Sequence, residues 1–270
     1  MDRVRKTYQY FTHLRYRGGM RKAWFREGNP YWNFYRIMDL ERELGVRSTF
    51  FFLQETKPLA IRKPSEWVHS LGSYRFDNPQ VSAVMTDLDR SGWEVGLHGS
   101  FESYRNPELM RSEKLSLEKV LGHPIEGIRQ HYLNLEIPRT WQLHADSGLT
   151  YDASLGSRTT YGYASLPAFP FAPFQSPFVV LPLTVMDGVL LRAVKNREAR
   201  MRAIKALVDE AEARHALLTV LWHQRFLNPR EFPEEFHLYE LLVQHALLSR
   251  PWVAKASEVA TWWRGRITGG

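Results

Sequence analysis

Cysteine is absent from the 270 residues of the chain. This absence excludes disulfide bonds and thiolate metal sites. A bound metal would therefore have to rest on histidine, aspartate or glutamate side chains.

Long apolar runs are absent as well. No segment approaches the length of a membrane span, and residues 1–22 are basic and aromatic without the apolar centre of a secretory signal. These features predict a cytoplasmic protein with no membrane span. The net charge is +7, but no known nucleic-acid-binding motif accompanies it, so we expect no nucleic-acid partner. Nothing in the sequence indicates an oligomeric state.

Strand-like and helix-like segments alternate through almost the whole chain. This alternation predicts a single α/β domain over residues 1–270, with a parallel sheet of about seven strands, open or closed into a barrel. Helical spacing of apolar residues predicts helices at 32–45, 80–92, 108–121, 138–147, 197–214, 234–248 and after a cap at Ser257. The strand-like segments are RSTFFFL (47–53), WEVGLH (93–98), GIRQH (127–131), TYDASL (150–155), VVLPLTV (179–185), ALLTVLWH (216–223) and WVAKA (252–256).

Polar side chains follow several of these strands where each one ends. In parallel α/β folds this is the edge of the sheet that carries reactive groups, so we interpret the set as a site. For any one histidine, a hydrogen-bonded core position is the alternative. The remaining histidines, His144 among them, are predicted to be surface groups. The strand-end set is His98, Arg129, His131, Asp152, Asp187 and His223.

The segment GWEVGLHGSFESY, running from 92 to 104, carries the first of these histidines. We expect Gly99 and Ser100 to keep the approach to His98 clear. With GIRQHYL, YDASLG, LPLTVMDG and LTVLWHQRF, in this order, it resembles the polysaccharide deacetylases of the NodB-homology type (carbohydrate esterase family 4-like). The resemblance covers the chain from Tyr31 onward and implies a deformed (β/α) barrel of about seven parallel strands.

The resemblance also implies a divalent cation held by one aspartate and two histidines. Such a cation polarises an acetamide carbonyl and activates water; zinc is the expected ion, with cobalt, iron or manganese as alternatives. Mapped onto this chain, His98 is a metal ligand, Arg129 orients the base, and His223 is the general acid. Trp222 would wall the acyl pocket. Further candidates for substrate contact are Tyr132, Asp152 and Asp187, the two aspartates being alternatively supports for the metal-binding residues.

Two features depart from the family pattern. Where the family has its second metal histidine, four residues after the first, this chain has Glu102; a carboxylate can bind the same metals, or His131 could supply the imidazole. The family begins with a strand that ends in an aspartate pair, in this branch similar to THDVDR, whereas this chain begins MDRVRK. Asp2 matches the second aspartate, the metal ligand, and the base has no counterpart.

We hypothesise that Met1 is a valine GTG codon read as the initiator, so that the first strand and the base aspartate precede it. If the shortened form is real, the base is gone and the product should be a weak enzyme or none.

The expected function is metal-dependent hydrolysis of an N-acetyl or O-acetyl group on a sugar or sugar conjugate, such as a nucleotide- or lipid-linked sugar. An amidohydrolase acting on a non-sugar amide is one alternative. Another is a non-catalytic carbohydrate-binding or vestigial deacetylase-like protein. Its binding cleft would be built from the aromatic side chains Tyr161, Tyr163, Phe169, Phe171 and Phe174.

Overall fold

The computed structural model describes residues 32–55, 74–164 and 166–268. The described strands are all short. They are β1 (Thr49–Leu53), β2 (Glu94–Gly99), β3 (Gly127–Gln130), β4 (Tyr151–Asp152), β5 (Val179–Val180), β6 (Val185–Met186) and β7 (Val220–Leu221).

Helices follow most of the strands. They are α1 (Phe34–Glu43), α2 (Pro79–Arg90), α3 (Pro107–Leu121), α4 (Arg139–Asp146), α5 (Asp187–Ala193), α6 (Arg197–Arg214), α7 (Pro233–Leu248) and α8 (Ala256–Thr268). Single 3-10 turns at His131–Leu133 and Gln224–Leu227 follow β3 and β7.

Asparagine side chains start three of these helices. Asn78 accepts hydrogen bonds from the backbone N–H groups of the first turn of α2, and Asn106 and Asn196 do the same for α3 and α6. Each cap satisfies donors that have no partner inside the helix. Helix α3 ends at Gly122 in the left-handed region (φ 81°), where glycine is the least strained residue. The chain therefore encodes these helix ends locally.

The strands form a parallel sheet in the order β1-β2-β3-β4-β5, and β6 pairs in parallel with β7. The segment between β5 and β6 stays hydrogen-bonded to the segment that begins with β4, on both sides of Pro182. Leu181 N–H donates to the carbonyl of Asp152, and Leu183 N–H donates to that of Leu155. The predicted α/β class with parallel strands is confirmed. Within the described ranges, the sheet is not closed between β1 and β7.

The main apolar core lies between β1–β3 and the helices α1 to α4. Leu97 and Ile128, on the sheet, and Met85, Leu88 and Met110, on the helices, are fully buried. Close packing inside the sheet also requires a glycine in β3. A Cβ on Gly127 would lie 1.8 Å from the ring of Tyr151, a distance that no side chain can accept.

Two predictions about the end of the chain are wrong. The segment WVAKA forms no strand: none of the described strands pairs with it, and its last residue, Ala256, begins α8. Ser257 is the second residue of α8 rather than its cap. Its backbone N–H donates to the Glu94 carboxylate at the start of β2 (2.9 Å), which anchors the helix to the sheet.

Candidate active site

A cavity of about 1800 Å³ runs along β1 and β7 and reaches the carboxyl ends of the neighbouring strands. His98, Arg129, His131 and His223 line it, together with Trp222. The structure therefore brings most of the strand-end set predicted from the sequence to one space.

His98 is the fifth residue of β2 and pairs in register with Arg129 of β3. Its Nδ1 lies 2.7 Å from the carbonyl oxygen of Arg129. Because a carbonyl can only accept, Nδ1 carries the proton and Nε2 presents its lone pair. Burial, with the nearby charge of His131, lowers the pKa of His98 to about 3. The imidazole is therefore neutral at physiological pH.

His131 stands beside His98 at the end of β3, with the ring centroids 5.2 Å apart. Its Nδ1 lies 3.9 Å from the Glu55 carboxylate. The two residues that follow, Tyr132 and Leu133, both have positive φ (57° and 55°), a conformation that costs non-glycine residues energy. This turn places the Tyr132 ring 4.4 Å from that of His131. Tyr132 is 42% exposed, as a substrate platform must be.

His223 follows β7 and forms a pair with Asp187, which follows β6. Nδ1 of His223 lies 2.7 Å and 3.0 Å from the two carboxylate oxygens. The backbone N–H groups of His223 and Gly188 also donate to this carboxylate. Asp187 is fully buried, whereas half of the His223 side chain is exposed. The buried carboxylate therefore fixes the proton on Nδ1 and directs Nε2 toward solvent.

Arg129 points into the same cavity. Its Nε donates to the carbonyl of Ala153 (2.9 Å), and its guanidinium carbon lies 4.6 Å from the centre of the Phe51 ring. Burial lowers the pKa of Arg129 to about 10, which still leaves it charged at neutral pH. The fixed guanidinium can orient an anionic partner. Its role toward a base aspartate stays a prediction.

Trp222 packs on the apolar side of the cavity, with its ring 5.8 Å from that of Tyr239. Its indole Nε1 is buried with no hydrogen-bond partner among the described residues. The position is compatible with the predicted wall of an acyl pocket, which stays a prediction.

A network of buried polar side chains connects the turn after β2 with β3 and β4 below the site. Ser103 Oγ donates to Gln130 Oε1 (2.9 Å), and Gln130 Nε2 lies 2.9 Å from Nε2 of His144. Since the amide nitrogen can only donate, His144 accepts there and its Nδ1 proton faces Asp152 Oδ2 at 3.3 Å. The prediction that His144 is a surface group is wrong, because its side chain is fully buried within this polar network.

Asp152 is the last member of that polar network and is fully buried. It accepts hydrogen bonds from the backbone and hydroxyl of Ser154 (2.9 and 2.6 Å) and from Trp141 Nε1 (3.3 Å). It does not line the cavity. Of the two roles predicted for it, the geometry favours support of the site residues over direct contact with a substrate.

Gly99 and Ser100 serve this interior rather than the approach to His98, which corrects the expectation from the sequence. A Cβ on Gly99 would lie 2.5 Å from Gln130 Oε1 and 2.6 Å from Ser103 Oγ. Ser100 is buried, and its backbone N–H donates to Glu113 (3.1 Å). The small residues make room for the buried polar network beneath the histidine.

Two buried carboxylates at the site were not identified from the sequence. Glu55, two residues past β1, accepts a hydrogen bond from Phe101 N–H (3.0 Å) and faces His131. Glu113, on α3, is 2% exposed. The strand-end rule that selected the other residues could have found Glu55, because it follows the strand RSTFFFL. No sequence signal distinguishes Glu113 from the exposed acids of its helix.

Replacing Glu113 with glutamine is expected to change how stability depends on pH. Burial, with the charge of Glu55 adding to it, raises the pKa of Glu113 to about 7 from an ordinary value of 4.5. Between these values the native state holds a proton that the unfolded chain has released, so wild-type stability falls as pH rises through 7. Relative to wild type, the variant should gain about 3 kcal/mol between pH ~4.5 and pH ~8.

Urea unfolding of both proteins over this pH range measures the difference. Parallel stability curves would show that Glu113 titrates at an ordinary value and would contradict the prediction.

Comparison with solved structures identifies the architecture. The fold matches a protein named as a polysaccharide deacetylase from Mycobacterium smegmatis with TM-score 0.62 and 17% identity, over 94% of this chain and 85% of that one. A second, from Pseudomonas aeruginosa PAO1, matches with TM-score 0.59 and 16% identity, over 87% and 73% of the two chains. This chain has the polysaccharide deacetylase fold. The resemblance stated from the motifs is thereby confirmed at the level of the fold.

The same deacetylase fold occurs in the Puue allantoinase, which matches with TM-score 0.59 and 17% identity over 86% of this chain and 72% of that one. No family model matches the sequence, and no curated protein matches it. The predicted deformed barrel is therefore established by three-dimensional similarity. This similarity does not establish which reaction the protein catalyses.

The resemblance stated from the motifs implies a metal, and the described side chains include part of the donor set that it predicts. His98 donates Nδ1–H to a backbone carbonyl, the arrangement usual for a metal-binding imidazole, and His131 stands beside it. Within residues 32–55, 74–164 and 166–268, however, no three histidine, aspartate or glutamate side chains are grouped for a metal. Asp2, the predicted carboxylate ligand, lies outside the described residues.

Glu102, the other predicted ligand, is bound by Arg105. Its Oε2 accepts from Nε (2.9 Å) and Nη2 (2.5 Å) of that side chain. Between the two positions that the sequence left open for the second ligand, the geometry favours His131, and the role of Glu102 stays a prediction. No helix in the described part of the chain is long and apolar enough to cross a membrane.

Proposed function

We propose that this protein hydrolyses an N-acetyl or O-acetyl group on a sugar or sugar conjugate with the help of a divalent metal. The observation that carries the proposal is the Asp187–His223 pair, which opens onto the cavity that also holds His98 and His131. A charge on His223 is close enough to His98 to contribute to lowering the pKa of His98. A candidate proton donor, the neutral imidazole of His98 and the imidazole of His131 therefore share one space.

His98, His131 and Asp2 would hold the metal, with zinc as the expected ion and cobalt, iron or manganese as alternatives. When bound, such an ion polarises the acyl carbonyl and activates water. The neutral state of His98 suits it to this role, since a protonated imidazole cannot bind a cation.

His223 would donate its proton to the leaving nitrogen or oxygen. The Asp187 carboxylate stabilises the imidazolium that forms when His223 takes up a proton, and it keeps the ring in place while Nε2 faces the substrate. Trp222 and Tyr132 would contact the substrate, one as the apolar wall and one as an exposed ring. Asp187 thus acts through His223 rather than on a substrate hydroxyl.

Acetate release from a panel of acetylated sugars and small amides tests the proposal. Two results would support it: loss of activity in His223→Ala, and, in the wild type, loss of activity on chelation that added zinc restores. Turnover of small amides alone would favour the alternative reaction, for which the likeness to the allantoinase is the supporting observation. Sugar binding without turnover, unchanged by chelation, would favour the non-catalytic alternative.

The predicted aromatic cleft of that alternative is divided in the structure. Phe169 is exposed and lines the cavity. Tyr163 is buried, and its hydroxyl donates to the carbonyl of Leu217 (3.1 Å). A cytoplasmic location and the lack of a nucleic-acid partner stay predictions.

Replacing Glu55 with glutamine is expected to lower both metal affinity and turnover, by about tenfold to a hundredfold, without unfolding the protein. Glu55 lies 3.9 Å from Nδ1 of His131, so its charge favours the ring orientation in which that nitrogen carries the proton. Zinc titration by calorimetry and thermal unfolding measure the two effects separately. Glu108→Gln, at an exposed position of α3, is the matched control. Equal zinc affinity in the two variants would exclude this positioning role.

A further inference from the structure

Arginine side chains dominate the charge of the cavity at the carboxyl ends of the strands. Besides the buried Arg129, three exposed arginines line it: Arg158 after β4, Arg192 on α5 and Arg225 after β7. We call these three the arginine rim. Among the described residues, the carboxylates that line the cavity already have partners: Asp187 is bonded to His223, Glu41 to Trp93 and Tyr239, and Glu212 to Ser249.

Arg192 and Arg158 lie together next to the Asp187–His223 pair. The Nη2 of Arg192 donates to the carbonyl oxygen of Arg158 (3.0 Å). Its Nη1 lies close to Gly188, the neighbour of Asp187. A Cβ built on that glycine would be 3.4 Å from this nitrogen. The guanidinium of Arg192 is thus positioned next to Gly188 by the backbone of the segment after β4.

Arg225 lies on the same segment as the candidate acid, two residues after His223. Its guanidinium carbon is 4.6 Å from the centre of the Phe226 ring, which restricts its position. Within the described ranges, no carboxylate lies within 4 Å of any of the three rim side chains. The rim is therefore a set of partly positioned cations without a charge partner in that part of the chain.

We propose that the arginine rim binds a phosphoryl group carried by the acetylated sugar, so that the substrate of this site is a phosphorylated sugar. The inference rests on the proposed function. Guanidinium groups match phosphate oxygens in geometry and charge, and a neutral sugar would leave three cations in the cavity unmatched. The phosphoryl group can belong to a sugar phosphate, a nucleotide-linked sugar or a prenyl-diphosphate-linked sugar.

Calorimetric binding to the full chain tests this, with N-acetylglucosamine and N-acetylglucosamine 1-phosphate as probes. The phosphorylated probe should bind about tenfold more tightly at low salt, and the difference should shrink in about 0.5 M NaCl, because the rim is exposed and screened. Arg192→Gln should weaken binding of the phosphorylated probe about tenfold and leave the neutral probe unchanged. Arg225→Gln should act in the same direction.

Arg202→Gln removes the same charge from an exposed position of α6 outside the cavity and is the control. Tighter binding of a UDP-linked or of a short prenyl-diphosphate-linked sugar, lost in the rim variants, would support the inference and identify the source of the phosphoryl group. Equal affinity for neutral and phosphorylated probes, or equal effects of Arg192→Gln and Arg202→Gln, would overturn it.

Acetate release separates this inference from the function on which it rests. Acetate release from neutral and phosphorylated sugars alike, with equal affinities, overturns the rim inference alone. Rim-dependent binding of phosphorylated sugars without any acetate release overturns the proposed reaction and leaves the binding site standing.

Discussion

Asp187→Asn is expected to lower the turnover number for acetate release by about 10²- to 10⁴-fold and to change KM little. The Asp187 carboxylate is fully buried and accepts a hydrogen bond from Nδ1–H of His223 at 2.7 Å. An asparagine of the same shape cannot stabilise the charged imidazolium, and it can turn an N–H toward Nδ1. His223 would then adopt the other tautomer, in which Nδ1 accepts a hydrogen bond and Nε2 carries the only ring proton. It could no longer readily take up a second proton to form the imidazolium that serves as the acid.

Nitrogen-15 NMR of the ring nitrogens tests the tautomer without any substrate. In the wild type the proton should be on Nδ1 of His223, and in the variant this state should be lost. Asp146→Asn is the control, because Asp146 is an exposed residue whose carboxylate accepts a hydrogen bond from Gln142 (2.8 Å). Retention of wild-type turnover in a folded Asp187→Asn protein would remove the pair from the mechanism.

Glu41→Ala is expected to lower the free energy of unfolding by about 3–5 kcal/mol. Glu41 lies on α1, is 1% exposed, and accepts three hydrogen bonds. The donors are Trp93 Nε1 (2.6 Å), the Tyr239 hydroxyl (2.7 Å) and the backbone N–H of Ser48 (3.0 Å). Alanine would leave all three without a partner and would disconnect α1 from β1, β2 and α7.

Urea unfolding measures this effect, with Glu43→Ala as the control. Glu43 lies two residues away on the same helix and is exposed, so its loss should change stability by less than about 0.5 kcal/mol. Glu41→Gln should fall between the two, since an amide keeps one acceptor. Equal stability of Glu41→Ala and Glu43→Ala would show that the buried hydrogen bonds contribute nothing net.

Glu41 and Glu55 show why part of the site could not be predicted. Both look like ordinary acids in the sequence, one on an amphipathic helix and one in the loop after a strand. Their burial depends on donors far away in the chain, such as Tyr239 for Glu41. The prediction for His144 was wrong for the same reason, since only the fold shows that its ring contacts Gln130 and Asp152 in the interior.

The order of helices and parallel strands, and the strand ends that carry His98, Arg129, His131, Asp187 and His223, followed from the sequence alone. These features are local: apolar periodicity, asparagine caps and terminal glycines determine them within a few residues. Contacts between strands were decided only by the tertiary structure. The structure pairs Asp187 with His223, buries Asp152 and His144, and lines one cavity with three arginines. These contacts join segments that are far apart in the sequence, so local patterns could not predict them.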